Sequence, residues 1–170
     1  MDFFSFHFNT RNVDLFLEVV GDYEDNKLLT HGIGSSKLEL IKSQGRYESD
    51  IIRLQDTFNF IISKDILTAF QRANLTGWDT YNIHAEGLKK EYLGFQVTGK
   101  CGEINRPSEG GFIIGHEFDI ETWDKSDFFV PNKTLLIFMT EKARNIFIQF
   151  KIPNIEIRNI KEDKWYNPKV

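Results

Sequence analysis

Ser63 and Thr140, two residue types suited to capping a helix N-terminus, lie 77 positions apart, and their surroundings share one outline. Before Ser63 runs an aromatic and β-branched stretch, Phe58 to Ile62. After it Ile66, Leu67, Phe70 and Ala73 recur at helical spacing, Asn74 to Gly77 supplies a stop, and Trp78 to Ile83 alternates as a strand. Before Thr140 stands Leu135 to Met139; after it come Ala143, Ile146, Phe147 and Phe150, then a closing strand over Ile152 to Ile160. At this offset Phe70 meets Phe147, Leu75 meets Ile152 and Trp78 meets Ile155. Two copies are too few for a solenoid, so the pattern predicts a duplicated or pseudo-symmetric domain built on two strand-helix-strand units.

The rest of the chain reads mainly as strand. Phe4, Phe6 and Phe8 alternate with Ser5, His7 and Asn9, which predicts a half-buried strand; Val13 to Val20, Lys37 to Ser43, Glu91 to Thr98 and Phe112 to Ile114 read similarly. The polar, Gly-containing stretches Gly21 to Ser36 and Gly99 to Gly111 read as loops and turns. Strands outnumber helices, so the expected class is α+β, with helices packed on a mostly antiparallel or mixed sheet. We expect a single domain over 1–170: N-terminal strands and loops over 1–57, the two units over 58–160, and a polar tail over 161–170 that Trp165 and Tyr166 staple back.

Composition removes several function classes. Hydrophobic residues are 41% and charged residues 27% of 170, an ordinary globular balance. A formal charge of −4 argues against a nucleic-acid footprint. No apolar run is long enough to span a bilayer, and the first residues lack the basic region of a signal peptide. One cysteine, Cys101, cannot form an internal disulfide, so the expectation is a cytoplasmic protein with no membrane partner.

Catalytic motifs are weak. Gly94 to Cys101 has phosphate-loop spacing, but it ends in Cys and its middle reads as strand. His116, Glu117 and Asp119 near Glu121, Asp124 and Asp127 lack both the second His of a zinc helix and the Gly register of a calcium loop, so we expect no metal and no cofactor. Cys101 is the one candidate thiol nucleophile and would need His84 or His116 within reach; a small packing cysteine is the commoner outcome. His7 and His31 read as isolated filler, and the acceptor patterns at Asn74 and Asn132 read as turns. For binding, Thr122 to Pro131 combines Trp123, Phe128 and Phe129 with Asp124 and Asp127 in a stretch that reads as loop. The competing reading is that these aromatics pin the loop to the core.

Three pieces of the chain together resemble a known family. They are Ile61-Ile62-Ser63 to Leu75-Thr76-Gly77-Trp78; the strand Tyr92 to Val97; and Trp123-Asp124 to Asp127-Phe128-Phe129, followed by Ile137 to Thr140, its helix, and Ile152-Pro153-Asn154-Ile155. The family is the immunity-protein-like domains of bacterial polymorphic toxin systems, long known only as a domain of unknown function. The likeness spans about residues 58–160. It implies a non-enzymatic protein that binds and neutralises a cognate toxin, with no shared catalytic residue. The expected contacts are Trp123, Asp124 and Asp127, then Glu103 and Glu109. The alternatives are a cysteine-dependent hydrolase or transferase using Cys101 with His84 or His116, and a scaffold self-associating through its Phe-rich first strand.

Overall fold

The computed structural model describes residues 1–9, 11–21, 30, 37–55 and 59–166. In chain order the described strands begin with β1 (Phe3–Phe8), β2 (Phe16–Val19), β3 (Lys37–Gln44), β4 (Ile51–Arg53) and β5 (Phe60–Ser63). Helix α1 (Lys64–Arg72) leads to β6 (Trp78–Ala85), β7 (Tyr92–Val97), β8 (Gly99–Asn105), β9 (Ser108–Glu109), β10 (Phe112–Ile114), β11 (Glu117–Phe118), β12 (Phe128–Asn132) and β13 (Phe138–Thr140). Helix α2 (Glu141–Phe150), β14 (Ile155–Asn159) and β15 (Lys164–Tyr166) complete them. The α+β class is as expected, with mixed sheets carrying two helices.

One six-stranded sheet has the order β2-β3-β6-β7-β5-β4. A bridge from Leu17 to Leu54 joins its outer strands, so the sheet closes into a barrel around Leu17, Leu38, Leu40, Ile52, Ile61, Tyr81 and Tyr92. The other has the order β11-β8-β12-β13-β1-β14, and His116 N donates to Ile160 O at 2.7 Å just beyond its two outer strands. Its interior holds Phe3, Cys101, Phe129, Phe138 and Ile160. A small sheet, β15-β10-β9, stands beside this second barrel.

The strand registers show how deep the duplication runs. Ile51 pairs Ile62 and Ile52 pairs Ile61 in one barrel; Phe128 pairs Met139 and Phe129 pairs Phe138 in the other, each 77 positions on. Strand β7 lies between β5 and β6, with Ser63 opposite Tyr92 and Trp78 opposite Val97. In the second barrel that central place belongs to β1, with Thr140 opposite Phe3 and Ile155 opposite Phe8. The last strand of the second repeat is thus supplied by the first strand of the chain. Residues 1–57 accordingly divide between the barrels, β1 in one and β2 to β4 in the other.

Between the barrels lies the main core, where Phe70 of α1 meets its counterpart Phe147 of α2 at 5.4 Å between ring centroids. Phe60 stacks on Phe6 and on Phe95 at 5.2 and 5.3 Å, and nine of the 16 phenylalanines gather where the two halves meet. The chain crosses from one barrel to the other at Thr98. There Gly77 and Gly99 pack against the Phe128 carbonyl, and an added Cβ would stand 2.0 and 2.1 Å from its oxygen.

Three expectations need correction. Strand β1 is not half-buried: lying between β13 and β14, it buries Ser5 as fully as Phe4 and Phe6. The stretch Gly99 to Gly111 carries β8 and β9, because Cys101 alternates inward while Lys100 stays outside. The stretch Thr122 to Pro131 is turn and loop only as far as Asp127; Phe128–Asn132 is strand, and its proline sits where the pairing with β8 shifts register. Positions 22–29 and 31–36 of the Gly21 to Ser36 stretch, and the side chains of Trp165 and Tyr166, lie outside the described residues.

Candidate functional site

The two repeats differ most in what fills their barrels. In the first, Tyr81 covers Gly94, where an added Cβ would lie 2.0 Å from the ring. The register puts Arg158 and Ser5 at these two positions in the second barrel. Around them gathers a buried polar cluster centred on Asp163, which is 1% exposed. Its Oδ2 accepts from Ser5 Oγ and His7 Nε2, both at 3.0 Å, and lies 3.6 Å from His116 Nε2; its Oδ1 accepts from Arg158 Nη1 at 3.3 Å. Burial opposes ionisation of Asp163, yet the nearby His116 and the hydrogen bonds from His7 and Ser5 outweigh it and hold the carboxyl well below the usual range.

Ser5, His7 and Asp163 have the residue types of a hydrolytic triad but not its geometry. A relay needs one imidazole nitrogen on the acid and the other on the serine. Here Nε2 alone meets both, at 2.8 Å from Ser5 Oγ, and Ser5 is 0% exposed. The cluster instead ties β1, β14 and the approach to β11 to one carboxylate. Sequence reasoning passed over it because its members lie up to 158 positions apart and no local motif joins them.

Beside this barrel stands the loop that the sequence singled out. Asp119 Oδ1 caps a short 3-10 turn, Ile120–Thr122, by accepting from Glu121 N at 3.0 Å. Trp123 is half-buried: its ring meets Phe3 edge-on at 5.0 Å and its Nε1 donates to Ser126 O at 3.0 Å. Asp124 accepts from Lys100 N at 2.7 Å and Ser126 N at 3.0 Å, which fastens the loop to β8. Asp127 is buried and joins the two repeats, accepting from Thr76 N at 3.0 Å and from Thr140 Oγ1 at 2.7 Å. Glu103 is exposed on β8 and pairs with Lys133 at 2.6 Å, while Glu109 is exposed on β9. The result is a braced ledge from which Glu117, Asp119, Ile120 and Glu121 face solvent.

The candidate thiol sits elsewhere. Cys101 is buried inside the second barrel, and burial, then the charge of Asp124, push its pKa up to about 11, so it is a thiol and a poor nucleophile at neutral pH. His84 is exposed on β6 of the first barrel, and His116 is buried beside Phe138. Gly94 to Cys101 runs through β7 and β8, with no helix after it to receive a phosphate. No cluster of metal-ligating side chains occurs among the described residues. No described helix is long and apolar enough to cross a membrane.

No protein-family model matches the chain, and no curated protein matches it in sequence.

Proposed function

We propose that the protein is a non-enzymatic binding module of the immunity type, which captures a cognate toxin protein on the ledge of its second barrel. The observation that carries this reading is the bracing of residues 119–126. Trp123 and Asp124 are spent on holding the loop, so little conformational entropy remains to be lost on binding. What the ledge offers is Ile120, 48% exposed, flanked by the carboxylates of Glu117, Asp119 and Glu121, with Glu103 on the neighbouring strand β8. An apolar centre with an acidic rim suits a basic partner such as a nuclease-type toxin.

Contacts are therefore assigned to these exposed side chains, with Trp123, Asp124 and Asp127 as their support. The test is capture of the partner from the cells that make this protein, then co-expression of the two. The protein should protect cells from the captured polypeptide. Glu117→Lys with Glu121→Lys should weaken binding by tenfold or more, about 1.4 kcal/mol, at an unchanged unfolding temperature. A captured partner that is harmless alone, or binding indifferent to both reversals, would refute the reading.

A further inference from the structure

A strand edge that neither another strand nor a side chain covers is a template for pairing with a further strand. Several strand amides of this protein that no neighbouring strand reaches are capped by side chains. Val19 N donates to Gln55 Oε1 at 2.8 Å, Thr80 N to Asp79 Oδ1 at 2.7 Å, Lys100 N to Asp124 Oδ2 at 2.7 Å and Gly102 N to Thr122 Oγ1 at 2.8 Å. Strand β14 carries no such cap. Its pairing with β1 runs from Asn9 N, which donates to Asn154 O, to Ile160 N, which donates to Phe3 O. Bonded positions alternate along an antiparallel pair, so Glu156 and Arg158 turn their backbone groups to β1, and Ile155 and Ile157 turn theirs away. On that outer side neither isoleucine has a hydrogen-bond partner among the described residues. The duplication supplies an internal control. At the offset of 77 Ile157 corresponds to Thr80 and Glu156 to Asp79. Where the first barrel caps its outward amide the second leaves it open, and Glu156 turns instead to Arg158, 2.7 Å away.

We propose that a second copy of this chain occupies this edge, β14 against β14 in antiparallel register about a twofold axis at Ile157. An interface of that symmetry must be complementary to itself, and charge selects the register. Centred on Glu156, the pairing would set the two Glu156 carboxylates opposite each other. Centred on Ile157, it sets each Glu156 opposite Arg158 of the other copy, while the two Ile157 residues exchange N–H···O bonds. The side chains of Glu156 and Arg158 lie on one face of the strand and are 48% and 40% exposed, within reach of a neighbouring strand. Each guanidinium carries five donors, so Arg158 can keep Asp163 through Nη1 and still bridge the Glu156 of both copies. The Phe-rich strand β1 is closed to such pairing, because β13 and β14 flank it.

Sedimentation equilibrium and amide hydrogen exchange by NMR, each followed over a range of protein concentration, test this. The protein should be dimeric at about 1 mM and dissociate on dilution. Exchange at the Ile157 amide should slow as the concentration rises, while the Glu156 and Arg158 amides, bonded to β1, stay protected throughout. Glu156→Lys should raise the dissociation constant about tenfold or more at an unchanged unfolding temperature. The exchange measurement needs no variant, so the proposal remains open to refutation even if that substitution disturbs the fold. A monomer at every concentration, a dimer in which Ile157 exchange does not change, or a dimer indifferent to a folded Glu156→Lys variant would overturn the proposal. Protection of Ile157 that arises only when a toxin partner is added would overturn it too, by giving the edge to that partner. Association of the protein with itself is read without any toxin, so this proposal and the binding role of the ledge fail separately.

Discussion

Asp163 is the residue on which most of the second barrel's polar chemistry converges, and its charge has a calculable consequence. Its folded-state pKa lies below the unfolded value of about 3.9, so the stability it contributes is complete above roughly pH 4 and is lost as the pH falls below that. Asp163→Asn should cost about 3 kcal/mol at pH 7, because Ser5, His7, His116 and Arg158 would surround a group with no charge. The gap between variant and parent should narrow steadily as the pH is lowered from 4 towards 2. Urea midpoints at these pH values check it, and a gap constant with pH would show that the carboxylate charge is not what stabilises. None of this was legible in the sequence, where His7 read as filler and Asp163 as part of a polar tail. Charge clusters assembled from strands far apart leave no periodic trace. Trp123 was better exposed to sequence reasoning, since a large aromatic in a loop commonly packs on the core, and its ring does meet Phe3 while its Nε1 donates to Ser126 O.

At the level of elements, Ser63 and Thr140 read alike in sequence yet do different work. Thr140 Oγ1 accepts from Ala143 N at 3.4 Å and donates to Asp127 at 2.7 Å, so it caps α2 and binds α2 to the turn after α1. Ser63 precedes α1 with the same extended backbone but makes no side-chain cap, and its buried hydroxyl has no hydrogen-bond partner among the described residues. Thr140→Ala should therefore destabilise by about 1–2 kcal/mol, whereas Ser63→Ala should be neutral or mildly stabilising. Thermal unfolding of the pair decides it, and equal losses would mean that Ser63 acts as a cap in solution. Helices and most strands were legible because Ile66, Leu67 and Phe70, or Leu93, Phe95 and Val97, repeat at the period of their element. Strands β8 and β12 were not, since Gly99, Gly102 and Pro131 are turn residues by default and are tolerated here only through close packing and a register shift.

For the whole molecule, the offset of 77 was visible in the sequence but the membership of β1 was not. Its counterpart β7 directly follows β6, whereas β1 precedes the other described strands, so a scan for repeats in order misses it. The arrangement predicts that the chain tolerates circular permutation. Joining the two ends by a short linker and opening the β1–β2 connection would give the second repeat the strand order that the first already has, β6 followed by β7. The permutant should keep the parent's near-ultraviolet circular dichroism and cooperative unfolding. Deletion of residues 1–9, by contrast, should abolish both for the second barrel, because β13 and β14 would lose the strand between them. A permutant without fixed tertiary structure would show that the two repeats are alike in register but not interchangeable in connection.

The same placement of β1 sets an order of events during biosynthesis. The six strands of the first barrel are all present once residue 97 has been made, but β1 must wait for residues 138–159 before its neighbours exist. At a synthesis rate of roughly 5–20 residues per second, the interval is on the order of ten seconds. Throughout it Phe3, Phe4, Phe6 and Phe8 are translated but have no strand to pair with. For that time the nascent chain offers a chaperone, or the unfinished barrel of a neighbouring ribosome's product, the strand that its own second half will need.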